Sequence, residues 1–152
     1  AKNGQSPLAV IVCCSDSRVP PEHIFHAGIG ELFIIRNAGN LISDFALGSV
    51  EYAVEHLETP LVVVMGHTGC GAVGTALTPA QEKGGLAAIL AEIRDAIAGE
   101  SDPHQAVRKN TLHALATLGH SPILKELHQA GKVEFAAAIY DIHSGHVDFL
   151  QD

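Results

Sequence analysis

Three short runs of residues constrain the fold more than anything else in the chain. Residues 8–13 (LAVIVC), 32–35 (LFII) and 61–65 (LVVVM) are continuously apolar and rich in β-branched side chains. That pattern belongs to strands buried on both faces, as in a parallel sheet. Pro60 stands just before the third run, where a strand tolerates it. Between the second and third runs lies 44–57 (DFALGSVEYAVEHL), where Phe45, Leu47, Val50, Ala53, Val54 and Leu57 recur at helical spacing behind Ser43 or Asp44 as N-cap. Residues 71–77, 86–98, 104–118 and 121–130 also read as helices, with breaks at Pro79 and Gly84-Gly85. Ser121 caps the last of these, Pro122 takes its first position and Gly131 closes it. Residues 133–142 (VEFAAAIYDI) read as a fourth strand and 146–150 (HVDFL) as an antiparallel edge strand. The spacing predicts one α/β domain over residues 1–152: a mostly parallel central sheet of about four parallel strands, an antiparallel C-terminal edge strand, and flanking helices.

Composition narrows the function. The chain has 152 residues, 47% hydrophobic and 17% charged, which excludes a disordered chain and points to a buried interface between copies. A net charge of −8 argues against a nucleic-acid partner. The longest apolar runs, such as 61–65, are too short to span a membrane, and no signal peptide opens the chain, so a cytoplasmic location is expected. Three cysteines cannot form a complete internal disulfide framework; together with ten histidines they direct attention to metal binding.

In open α/β sheets, sites form beyond the carboxyl ends of the strands. The first strand runs into Cys14-Ser15-Asp16-Ser17-Arg18, and the third into Gly66-His67-Thr68-Gly69-Cys70-Gly71. If these strands are neighbours, two thiols and an imidazole converge. Cys₂His is a zinc ligand set that keeps a fourth position open, and soft donors favour zinc over magnesium or calcium. A lone cysteine at a strand end is usually inert core, and His67-x-x-Cys70 alone is a weak signal. Two such fragments at the ends of adjacent strands carry the argument. Cys13 points to the opposite face from Cys14 and reads as core. Arg18 can hold Asp16 ionised as an oriented acceptor beside the metal; the simpler reading is a surface ion pair.

Three other patterns carry less. Gly69-x-Gly71-x-x-Gly74 matches a dinucleotide fingerprint, but His67 and Thr68 intervene after the strand, and the acids about 20 residues on, Glu92 and Asp95, fall within a helical pattern. Cys14 and Arg18 enclose three residues, where a cysteine-phosphatase loop needs five. His143 and His146 flank a turn and read as surface residues, and His23 and His26 likewise read as surface positions close behind the first motif.

These residues resemble the β-class carbonic anhydrases. The C-x-D-S-R motif stands at Cys14–Arg18 and the H-x-x-C motif at His67–Cys70. Arg36-Asn37-Ala38-Gly39-Asn40 is similar to the family's R-N-x-x-N segment, Ser49-Val50-Glu51-Tyr52-Ala53 to its S-[IV]-E-Y-A helix, and Tyr140–Val147 to its Y-D-x-x-[ST]-G-x-V hairpin. The resemblance runs from about Gly4 to Leu150. It implies one zinc ion held by Cys14, His67 and Cys70, with Asp16 and Arg18 as the catalytic dyad. It implies hydration of carbon dioxide to bicarbonate by attack of zinc-bound hydroxide. It also implies a substrate pocket of Gln5, Phe33, Tyr52 and Gly71, shared between the subunits of a homodimer that can double to a tetramer. Asn3-Gly4 departs from the Lys-Gly of the family's K-G-Q-x-P segment, and the family's N-terminal clasping helix is expected to be short or absent. The chain has no Trp, and Ile11 stands where one form of the family carries it. The expectation is therefore the open zinc arrangement, with Asp16 on Arg18 rather than on the metal. Hydrolysis of carbonyl sulfide or carbon disulfide and a non-catalytic zinc-binding role are the alternatives. The intact Asp16 and Arg18 argue against the last.

Overall fold

In the computed structural model, residues 4–150 are described. The elements run β1 (Ala9–Cys14), α1 (Pro21–Ile24), β2 (Leu32–Asn37), α2 (Asp44–His56), β3 (Leu61–His67), α3 (Gly71–Ala76), α4 (Gly84–Ala96), α5 (Pro103–Leu118), α6 (Pro122–Gln129), β4 (Glu134–Tyr140) and β5 (Val147–Leu150). They form a five-stranded sheet in the order β2-β1-β3-β4-β5. The first four strands are parallel, and β5 is antiparallel to β4. This is the architecture expected from the apolar runs.

Handedness explains where the helices lie. The step from β1 to β2 goes one way along the sheet, and the steps from β2 to β3 and β3 to β4 go the other. Right-handed crossovers then put α1 on one face and the later helices on the opposite face. The packing agrees. Val10, Val12, Val62 and Val64 bury against Val50, Ala53 and Val54 of α2, Ala114 and Leu118 of α5, and Leu124 of α6. Cys14 shares its side of the sheet with α3, α4 and α5 through Val73, Leu90, Ile93 and Val107. On the other face Ile11, Cys13, Val63 and Met65 pack with Ile24 and Phe25 of the β1–β2 connection.

Ser43 caps α2 and Ser121 caps α6, each accepting a backbone N–H, and Pro122 opens α6 as expected. Several boundaries differ from the sequence reading. The strands β1, β2 and β3 run on through Cys14, Asn37 and His67, because pairing in register continues past the end of each apolar run. The short helix α1 has no counterpart in the periodicity; its signal is Pro21 at the first helical position. Helix α4 begins at Gly84 instead of residue 86, and β4 ends at Tyr140 instead of residue 142. Residues 4–8 lead into β1 without a helix; residues 1–3 lie outside the described residues. Among the described residues no helix is long and apolar enough to cross a membrane.

Candidate metal centre

Because β1 and β3 are neighbours, with Cys13 opposite Met65 in register, their carboxyl ends meet. Cys14 is the last residue of β1 and His67 the last of β3. Gly69, at φ +68°, turns the chain so that Cys70 stands as N-cap of α3. The three candidate donor atoms lie within 4.8 Å of one another, and all three residues are buried. This is the only such group of three or more His, Cys, Asp or Glu ligands among the described residues.

The imidazole is oriented for a metal. The buried His67 Nδ1 lies 2.8 Å from the Thr68 carbonyl oxygen, which can only accept, so Nδ1 carries the proton and donates. The lone pair is then on Nε2, which is buried and has no hydrogen-bond partner. An orphaned ring nitrogen inside a protein is costly unless something accepts its lone pair. Burial opposes charging of His67, but the Cys14 sulfur and the Thr68 carbonyl outweigh it and raise its pKa. The contact with Cys70 pulls the Cys14 thiol well below the usual thiol range and pushes Cys70 up. Two buried sulfurs beside an unpartnered imidazole nitrogen fit a soft divalent cation such as zinc. Cys13 behaves as core: it is fully buried on the opposite face, and burial raises its pKa to about 12.

Asp16 and Arg18 form a closed pair. Arg18 donates from its backbone N–H to Asp16 Oδ1 at 2.8 Å, from Nε to Oδ1 at 3.0 Å and from Nη2 to Oδ2 at 2.7 Å. The guanidinium holds the Asp16 carboxyl down at about 2. Nη2 also donates to the Gly69 carbonyl at 3.2 Å, which ties the β1 loop to the β3 loop. Asp16 Oδ2 lies 3.8 Å from His67 Nε2, so the carboxylate faces the ligand group without joining it.

Further residues build the site that the spacing did not single out individually. Arg36 donates from Nε to the Cys14 carbonyl at 2.8 Å and from Nη2 to the Asp16 carbonyl at 2.6 Å. The Gly39 N–H donates to Cys14 Sγ at 3.4 Å, and Asn110 Nδ2 of α5 donates to the Gly39 carbonyl at 2.8 Å. Arg36 and Gly39 were visible in sequence only through the R-N-x-x-N resemblance. Asn110 carried no signal at all.

The pocket residues divide. Gly71 opens α3, directly after Cys70. Phe33 and Tyr52 pair with ring centroids 6.1 Å apart. Phe33 is in register with Val10, four residues below the level of Cys14, so roughly 13 Å separates them along the strands. Gln5 is exposed and precedes β1, at the end away from Cys14. Within one chain, therefore, Gln5, Phe33 and Tyr52 do not meet the Cys14, His67 and Cys70 group. Of the other patterns, Gly71–Ala76 is a helix of only six residues, and His143 and His146 are exposed around the β4–β5 turn.

A family model described as carbonic anhydrase matches residues 9–147. Carbonic anhydrase of Pseudomonas aeruginosa is 36% identical over 163 aligned positions, covering 96% of this chain and 74% of the relative. Carbonic anhydrase 2 of Mycobacterium tuberculosis is 55% identical over 74 residues, 49% of this chain; the matched stretch spans only 36% of that relative's length. Among solved structures, the Coccomyxa β-carbonic anhydrase in complex with acetazolamide superposes with TM-score 0.88 at 27% identity, covering 99% of this chain and 74% of the other. A tetrameric β-carbonic anhydrase from Sordaria macrospora gives TM-score 0.88 at 26% identity, covering 99% and 84% respectively.

Proposed function

Because the chain belongs to the β-carbonic anhydrase family, we propose that it catalyses the reversible hydration of carbon dioxide to bicarbonate and a proton, using one zinc ion per chain. The observation that carries this reading is the buried, unpartnered Nε2 of His67, within 4.8 Å of the sulfurs of Cys14 and Cys70, with the Asp16 carboxylate 3.8 Å away. Cys14, His67 and Cys70 hold the ion. Zinc bound by such a set acidifies a water to a pKa of about 7 and so supplies a nucleophile at neutral pH.

The chain's own residues do the rest. Thr68 fixes the His67 tautomer through its carbonyl. Arg18 keeps Asp16 ionised and pointed, so that Asp16 accepts a hydrogen bond from the attacking water and aims its lone pair at carbon dioxide. The pairing of Asp16 with Arg18 supports the open arrangement, with the carboxylate off the metal. The exposed backbone of Gly71, at the start of α3, meets bicarbonate through its N–H. Gln5, Phe33 and Tyr52, which lie apart from the ligands of their own chain, complete the pocket of a second copy in a homodimer.

Stopped-flow hydration of carbon dioxide, run with metal analysis, tests the reading. The expected result is about one zinc per chain and hydration well above the uncatalysed rate, lost on stripping with a chelator and restored by zinc. A fully zinc-loaded protein with no hydration above background would overturn it.

A further inference from the structure

We propose that Asn110, on α5, is a positioning residue for the metal centre: it pins Gly39 so that the Gly39 N–H donates to the sulfur of Cys14. The inference rests on reading Cys14 as a metal ligand and adds a residue to that site.

The buried surroundings make Asn110 conspicuous. Its neighbours on α5 are Ala106, Val107, Thr111, Ala114 and Leu118, all buried. Asn110 itself is 1% exposed. A primary amide in such a place costs stability unless it is hydrogen-bonded. Among the described residues its Oδ1 has no partner, so the donation from Nδ2 to the Gly39 carbonyl at 2.8 Å, across 71 residues of sequence, is the bond that justifies an amide there.

Gly39 is built to receive it. Its φ is +85°, a conformation that calls for glycine, and a Cβ at this position would press on Ile93 Cδ1 at 2.9 Å. The loop is closed from the other side by Asn37, whose Oδ1 accepts the Leu41 N–H and whose Nδ2 donates to the Leu41 carbonyl, both at 2.7 Å. Gly39 is thus held by its carbonyl on α5 and by its loop on β2, leaving its N–H facing Cys14 Sγ at 3.4 Å. A hydrogen bond to a thiolate is charge-assisted; it fixes the sulfur's direction and draws off part of its electron density. Partners one bond removed from a metal typically change affinity 10–100-fold when lost.

Protein loaded with ¹¹³Cd allows a test. Coupling from the Cys14 β-protons to cadmium reports whether Cys14 is a ligand. Coupling from the Gly39 amide proton to cadmium reports the N–H···S bond. The expected result is both couplings in the unaltered protein, loss of only the Gly39 coupling in Asn110→Leu, and a fall in zinc affinity of about tenfold by chelator competition. Leu118→Ala, which loosens the same helix without touching Gly39, should keep the Gly39 coupling. Cadmium bound with Cys14 coupled but Gly39 silent in the unaltered protein would overturn the inference alone. So would a Gly39 coupling that survives in Asn110→Leu or, should that variant not fold, in Asn110→Ser. Failure to bind cadmium through Cys14 would overturn the metal reading and the inference together.

Discussion

Arg18 grips Asp16 through its main-chain N–H, Nε and Nη2, so both carboxylate oxygens are engaged. The resulting pKa of about 2, against an ordinary 3.8, has a definite sign. A depressed carboxylate pKa contributes stability that is fully present above 3.8 and is lost as pH falls toward about 2. Across the neutral range the carboxylate is therefore ionised, as an acceptor must be. Asp16→Asn keeps the shape and removes the charge. It should retain zinc at the wild-type ratio and lower the hydration rate by about 100-fold or more, measured by metal analysis and stopped flow on one sample. Loss of zinc in that variant would instead make Asp16 a ligand. The same scale shows how neighbours diverge: Cys13 and Cys14 are adjacent, yet one enters an apolar face with its pKa raised to about 12, and the other joins the candidate ligand group with its pKa lowered by the contact with Cys70.

Helix α5 does more for the centre than any motif in the sequence indicates. Besides Asn110, it sets Thr111 over Gly66, the residue before His67, where an added Cβ would fall well inside contact distance of Thr111 Oγ1 and 3.1 Å from Ile139 Cδ1. Gly66→Ala should therefore push α5 off β3 and cost about 1–3 kcal/mol, read as a lower urea midpoint at unchanged slope. Removing the obstacle in Gly66→Ala/Thr111→Ala should recover part of the loss; no recovery would place the strain elsewhere. This packing also explains what was legible. Strands announced themselves through β-branched runs, and Cys14, His67 and Cys70 through donor chemistry at strand ends. The extension of β3 through Gly66 and His67 was hidden, since glycine carries no hydropathy signal and its reason lies 45 residues away in Thr111. Asn110 and its bond to Gly39 were hidden for the same reason: a contact spanning 71 residues leaves no local pattern. The proposed pocket of Gln5, Phe33 and Tyr52 rests on resemblance alone, because nothing in their spacing joins them to the candidate ligands.

At the scale of the molecule, the proposed pocket falls into two groups of residues that do not meet within one chain. Cys14, His67, Cys70 and Asp16 stand at the carboxyl ends of β1 and β3, while Phe33, paired with Tyr52 of α2, sits four residues down the sheet and Gln5 precedes β1 at its other end. Several large apolar side chains are exposed where a lone chain gains nothing from them: Leu8, Ile29, Phe45 and Tyr52. One face of the sheet is covered mainly by the β1–β2 connection. A second copy related by a two-fold axis would cover such surface twice over and bring each half-pocket to the other chain's metal. Sedimentation at micromolar concentration should then show a species of at least twice 15.9 kDa. A sharper test uses two inactive chains. Cys14→Ala loses its metal site but keeps Gln5 and Tyr52, whereas Gln5→Ala/Tyr52→Ala keeps its metal and loses its contribution to the pocket. Each alone should be nearly inactive. Co-expressed in equal amounts, half of the dimers are hybrid and each hybrid holds one complete site, so hydration should return to about a quarter of the wild-type level. If the pocket were built within a single chain, no mixture would regain activity, and the failure would separate a shared site from a merely dimeric one.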